Sequence, residues 1–204
     1  ALAEFCASQQ DRFVAFATAA LQYPDLAAEQ VELAVKTLGF RGIGVAGSVA
    51  GEDLANPKFH PFWAKCEELG VLVFMHPLGT RELELSGRLA GNGMLTNTIG
   101  NPLETTIALS HLIFEGTLDR FPGLKICASH GGGFLPSYAN RSDAVIETFP
   151  DDVGPFPKKK PTEYLRGGQL YFDSIMFTGE GMRHLIAEAG IDHVVLGTDY
   201  PFPW

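Results

Sequence analysis

"KICASHGGGF" (Lys125–Phe134) is an apolar run that ends on Ser129 and His130 and then passes into three consecutive glycines. Three glycines weaken any regular element, so the strand stops here and the bare backbone meets some local need. Two other runs share this grammar: "VLVFMHP" (Val71–Pro77) ends at His76, and "HVVLGTDY" (His193–Tyr200) reaches Asp199. Further strand-like runs are "RFVAFATAAL" (Arg12–Leu21), "FRGIGVAGS" (Phe40–Ser48) and "LYFDSI" (Leu170–Ile175). Their apolar residues are continuous, not alternating, which predicts parallel strands buried on both faces. Strands alternating with amphipathic helices imply βα units, and a doubly wound sheet or a (β/α)8 TIM barrel satisfies that pattern. No G-x-G-x-x-G follows an early strand, so the dinucleotide-binding sheet loses its main sign. The polar strand ends favour the barrel, whose strands all open their carboxyl ends on one face. His76, His130 and Asp199 would converge there.

Helix punctuation supports the same division. Asp25 is placed to cap a helix that Gly39 ends, and His60 and Pro61 open one that Gly70 stops. Asn101, Pro102 and Glu104 have the cap, proline and acidic first turn of a helix start, closing around Gly116. "EGMRHLIAEAG" separates the last two strands. The long segment Gly79–Gly100 after the His76 strand is expected to form part of the pocket wall.

The chain has 204 residues, 46% of them hydrophobic, enough for a single domain over 1–204 with one core. No apolar run approaches the roughly 20 residues of a membrane span. A formal net charge of −9 argues against a nucleic-acid partner, which would want a basic face. Cys6, Cys66 and Cys127 are few and far apart, as expected of reduced thiols in a cytoplasmic protein. "ALAEFCASQQDRF" lacks the basic start and apolar middle of a signal peptide. The opening without Met and the end on "LGTDYPFPW" just after a strand-like run read as a chain cut rather than finished.

Neutral imidazole and carboxylate are the ligands of a divalent, zinc-like ion, and His76, His130 and Asp199 supply both. Singly, each has a plainer reading, as a satisfied structural histidine or a turn aspartate; together, at equivalent strand ends, they point to a site. The glycines would let backbone approach a ligand with N–H groups free, or simply make a tight strand-to-helix turn. His60, His111, His184 and His193 are assigned structural or surface roles, and Lys158–Lys160 a solvated loop. Asp173 faces either the barrel interior or a neighbouring loop.

"HPFWAKCEELGVLVFMHP", "GNPLETTIALSHLIFEGTLDRFPGLKICASHGGGFLPSYANRSD" and "GIDHVVLGTDYPFP" resemble the amidohydrolase-related decarboxylases, most nearly the aminocarboxymuconate-semialdehyde decarboxylase family. The resemblance runs from about the first strand to the last residue. It implies a (β/α)8 barrel holding one divalent metal, commonly zinc with manganese as the alternative. By that resemblance His76 and Asp199 are metal ligands at the ends of strands five and eight. His130 is the strand-six histidine that works as acid/base, with Asp199 beside it as a catalytic residue. Arg141 matches an arginine that binds a substrate carboxylate across a homodimer interface. The family's His-x-His pair on its first strand has no counterpart, since no histidine precedes His60. The six strands are therefore expected to be strands three to eight, with the first two strands and the C-terminal helix missing. The implied reaction is non-oxidative decarboxylation of a small unsaturated or aromatic carboxylic acid. A lactone or amide hydrolase of the same superfamily and a non-catalytic scaffold barrel are the alternatives.

Overall fold

A computed structural model describes residues 1–203. The elements run α1 (Leu2–Ser8), β1 (Phe16–Thr18), α2 (Pro24–Lys36), β2 (Gly42–Val45), β3 (Ser48–Val49), β4 (Glu52–Asp53), α3 (His60–Leu69), β5 (Leu72–Met75) and α4 (Arg81–Leu85). They continue as α5 (Asn101–Phe114), α6 (Thr117–Arg120), β6 (Lys125–Ala128), α7 (Leu135–Thr148), α8 (Pro161–Leu165), β7 (Leu170–Asp173), α9 (Gly179–Ala189) and β8 (Val194–Val195). Six strands form one sheet in the order β1-β2-β5-β6-β7-β8, every pairing parallel, and β3 and β4 make a small antiparallel hairpin beside it. Parallel neighbours need a crossover, and the helices provide it.

Burial differs between the two faces of the sheet. Val73 and Met75 are fully buried and share one core with Phe62, Trp63, Leu109, Leu112 and Ile113 of α3 and α5. Each such side chain contributes roughly 1.5–3 kcal/mol by leaving water. Trp63 also donates its indole N–H to the Leu54 carbonyl at 2.8 Å, so its polar edge is satisfied. Phe16, Leu72, Phe74 and Cys127 instead line a trough of about 510 Å³ on the opposite face. Burial on both faces, expected from the continuous apolar runs, thus holds fully only on the helix side. On the other face β1 and β8 stand as the sheet's two edges and leave the trough open.

Those edges are shorter than the sequence suggests. Arg12–Leu21 yields only Phe16–Thr18, and His193–Tyr200 only Val194–Val195. Each has a ladder on one side alone, so less hydrogen bonding holds the strand extended. Two caps also differ. Tyr23, not Asp25, occupies the N-cap of α2, and Asp25 sits in its first turn. Asn101 is already helical, because α5 continues from a π turn over Thr96–Gly100 and makes no side-chain cap. Gly70, left-handed at φ 61°, ends α3 as expected.

Candidate active site at the strand ends

His76 extends β5 by one residue, its N–H donating to the Val45 carbonyl at 2.9 Å. Strand alternation places its ring on the trough face with Leu72 and Phe74. Nδ1 lies 2.9 Å from the Pro77 carbonyl oxygen. An oxygen there can only accept, which assigns the ring proton to Nδ1 and leaves the Nε2 lone pair facing the site.

His130 arrives differently. Cys127 and Ser129 line the trough, so a strand continued at the same period would turn His130 towards the helices with Ile126 and Ala128. The chain breaks instead: His130 has φ 54°, and its ring comes round beside His76, centroids 5.1 Å apart at 68°. Ser129 Oγ sits 3.2 Å from His130 Nδ1, and Nε2 lies 3.8 Å from Asp199 Oδ2. His76, His130 and Asp199 each offer one ligand atom, and these atoms lie within 4.8 Å of one another. That mixed nitrogen and oxygen set, with the His76 lone pair already oriented, fits a divalent cation. Burial pushes the His130 pKa down and His76 adds to this, against the pull of Asp173 and Asp199.

A cavity of about 630 Å³ is lined by Gly93, Met94, Asn97, Thr98, Asn101, Pro102, Phe177, His130 and Asp199, while His76 lines the trough, which shares Asp199. The Gly79–Gly100 segment does form pocket wall. Only four non-glycine residues have positive φ among the described residues, and three of them, Met94, His130 and Asp199, line this cavity. Left-handed backbone costs an ordinary residue about 1–2 kcal/mol, and such strain gathers at functional sites. A larger groove of about 710 Å³ near β1 and α2 has no titratable side chain in its lining.

The glycines have a different role from the ligand-approach reading. Gly131 N–H donates to Asp173 Oδ1 at 3.0 Å, Gly132 N–H to Ser129 O and Gly133 N–H to His130 O. Their donors are used, not free. A Cβ on Gly131, Gly132 or Gly133 would run into Met176, Phe172 or the Pro102 carbonyl, all protein atoms. The tight-turn reading holds, and the close approach is to neighbouring elements.

Two carboxylates are buried near the strand ends: Asp173, which the sequence leaves open between barrel interior and neighbouring loop, meets both, and Glu104 reads in the sequence only as part of a helix start. Asp173 faces the trough, where its Oδ1 accepts from Gly131 N–H and from Ile175 N–H at 3.1 Å. Glu104 accepts Leu78 N–H and Gly79 N–H on the same oxygen, each at 2.6 Å. The acidic first turn of α5 was visible, but nothing local signals that its carboxylate is buried against another loop. Arg141 is exposed on α7 and does not line its own chain's cavity. His60, His111, His184 and His193 lie outside the three-residue cluster, as expected.

The amidohydrolase family pattern matches residues 1–203. The chain belongs to the amidohydrolase family. It is 31% identical over 202 residues to 2-amino-3-carboxymuconate-6-semialdehyde decarboxylase of Dictyostelium discoideum, covering 99% of this chain and 55% of that protein. Among solved structures it superposes on 5-carboxyvanillate decarboxylase from Sphingomonas paucimobilis with a TM-score of 0.89 at 27% identity, covering 98% of this chain and 59% of the other. Dihydroxybenzoic acid decarboxylase from Polaromonas sp. JS666, solved with manganese and the inhibitor 2-nitroresorcinol, gives a TM-score of 0.83 at 30% identity, with 98% and 62% coverage. The chain thus spans between half and two thirds of the length of these relatives. Its six-stranded parallel sheet is part of the wall of an amidohydrolase-type TIM barrel.

Proposed function

We propose that this chain carries part of the active site of a metal-dependent, non-oxidative decarboxylase acting on a small unsaturated or aromatic carboxylic acid. One observation carries the reading: His76, His130 and Asp199 bring ligand atoms within 4.8 Å of one another, and His130 and Asp199 also line a largely apolar cavity. His76 Nε2 and an Asp199 oxygen are the proposed ligands of one divalent ion, zinc first and manganese as the alternative. Such an ion, when bound, supplies Lewis-acid stabilisation of negative charge on substrate oxygens. His130 handles the proton. When the C–CO2 bond breaks, its electron pair stays on carbon, and that carbon takes one proton from the His130 imidazolium. Burial favours the neutral ring, so an imidazolium formed here gives its proton up readily. Asp199, 3.8 Å from Nε2, steadies the charged ring between uptake and delivery. No electrons are gained or lost overall, so the chemistry needs no redox partner.

Met94 and Phe177 offer apolar surface to the faces of a planar substrate, while Asn97, Thr98 and Asn101 offer polar groups to its edge. Decarboxylase activity in the relatives, on carboxyvanillate and dihydroxybenzoic acids by their names, supports this substrate class. Arg141, exposed and outside its own cavity, suits the role of carboxylate anchor in the neighbouring site of a homodimer. Its three free thiols, Cys66 and Cys127 buried, suit a reducing, cytoplasmic location. Among the described residues no helix is long and apolar enough to cross a membrane.

The test is CO2 release by the full-length, metal-loaded protein from a panel of hydroxylated benzoates and muconate-type acids, run beside lactones and amides. Metal-dependent CO2 release with idle lactones supports the reading. Hydrolysis of a lactone or amide with no CO2 from any acid would replace it.

A further inference from the structure

Glu104 is buried in the first turn of α5 and is not among the residues lining the cavity. Its Oε2 accepts the N–H groups of Leu78 and Gly79, both at 2.6 Å, and its Oε1 lies 3.5 Å from Ser48 Oγ. A Cβ on Gly47 would sit 2.6 Å from Glu104 Cγ, so the loop after β2 closes directly on this side chain. The N–H of Leu78 and the carbonyl of Pro77 belong to one peptide group. That carbonyl is the oxygen bonded by His76 Nδ1 at 2.9 Å. The order is therefore Glu104 carboxylate, peptide N–H, peptide C=O, His76 imidazole.

We propose that Glu104 is a positioning residue that sets the His76 ring through the Pro77–Leu78 peptide. The peptide is planar, so fixing its N–H fixes where its oxygen points. An acceptor on the N–H also polarises the group, making the carbonyl a better partner for Nδ1–H and the Nε2 lone pair more available. The second N–H, from Gly79, prevents the carboxylate from rotating away. What matters is reach, not charge: an acceptor must stand where Oε2 stands. Burial pushes the Glu104 pKa up despite the two donors, so a neutral acceptor of the same length is tolerated. The inference rests on His76 being a metal ligand, as proposed above.

Two conservative substitutions in the full-length protein separate reach from charge. Glu104→Gln keeps the length and loses the charge; Glu104→Asp keeps the charge and draws the oxygens back by about one C–C bond length, roughly 1.5 Å. Zinc and manganese dissociation constants are measured by chelator competition, well below the melting temperature of each metal-free variant as followed by circular dichroism. Glu104→Asp is expected to weaken metal binding about 10–100-fold, the usual effect of removing a partner that orients a ligand. Glu104→Gln is expected to stay within about threefold of the unsubstituted protein. Equal affinity in Glu104→Asp and the unsubstituted protein overturns the inference. So does a Gln variant as weak as the Asp variant, which would make charge the operative property. If Glu104→Asp does not fold, a tenfold loss in a folded Glu104→Gln protein still overturns it. Absence of metal binding by the unsubstituted protein would instead overturn the metal-site reading itself.

Discussion

Gly133→Ala is the substitution that most sharply separates a packing role for the glycines from a role in letting backbone approach a ligand. Gly133 has φ 65° and ψ −128°, a region that L residues enter at a cost of about 1–3 kcal/mol. The new Cβ would overlap the Pro102 carbonyl oxygen and lie 2.8 Å from Thr106 Oγ1, whose hydroxyl already bonds Pro102 O and Phe134 N–H. Backbone of a long helix cannot swing aside, so overpacking adds roughly 1–3 kcal/mol. The sum is about 2–6 kcal/mol, a large part of an ordinary domain's stability. Gly132→Ala meets the fully buried Phe172 ring at 2.5 Å and ranks next. Gly131→Ala has an ordinary left-handed φ of 60° and meets only the flexible Met176 thioether, so about 1–2 kcal/mol is expected. Urea unfolding of the metal-free full-length proteins, fitted for midpoint and slope, reads the series. If all three variants match the unsubstituted protein within about 0.5 kcal/mol and only KM rises, the glycines serve the substrate and the packing argument fails.

Three other outcomes follow from the site and the thiols. His76→Ala and Asp199→Ala are expected to lose bound metal, while His130→Ala keeps it and loses about 10²–10⁴-fold in turnover; metal loss in the His130 variant would move that ring into the coordination sphere. Arg141→Ala is expected to raise KM for a carboxylate substrate about tenfold or more, and mixed dimers with His130→Ala should regain activity; verified mixed dimers without any gain would remove the cross-subunit role. Burial pushes the Cys66 and Cys127 thiols from an ordinary 9.0 up to about 12. Raised folded values mean that the unfolded chain ionises first, so stability is held below pH 9.0 and falls from there towards about 12. A melting temperature unchanged over that interval would contradict their burial, as would rapid alkylation of both in the native protein.

The strand ends were legible because chemistry stood out against apolar runs: His76 and Asp199 needed only the assumption that parallel strands open on one face. The order of the sheet followed as well, since each strand pairs with the next βα unit along the chain. His130 was located for a reason that was only half right. Its position at the lip of β6 was plain, yet alternation alone would have pointed its ring away, and only the left-handed turn brings it round. Gly131–Gly133 announced a need for bare backbone without saying against what, because Phe172 and Pro102 are distant in sequence. Glu104 and Asp25 look alike as acidic first-turn residues. One is buried holding a loop and the other is exposed, a difference made wholly by the elements packed around them.

The sheet grows strictly in chain order, each strand docking on the one made before it. During synthesis the wall can therefore assemble progressively, helix by helix, from local crossovers. The three clustered groups do not share that progress. His76 is in place once β5 docks on β2, His130 waits for β6, and Asp199 comes only after β8, more than a hundred residues beyond His76. If His76 and Asp199 are the ligands proposed above, a cation cannot hold both until β8 has docked. On that reading the metal stabilises the sheet only once β8 is in place, while the earlier docking steps proceed without it.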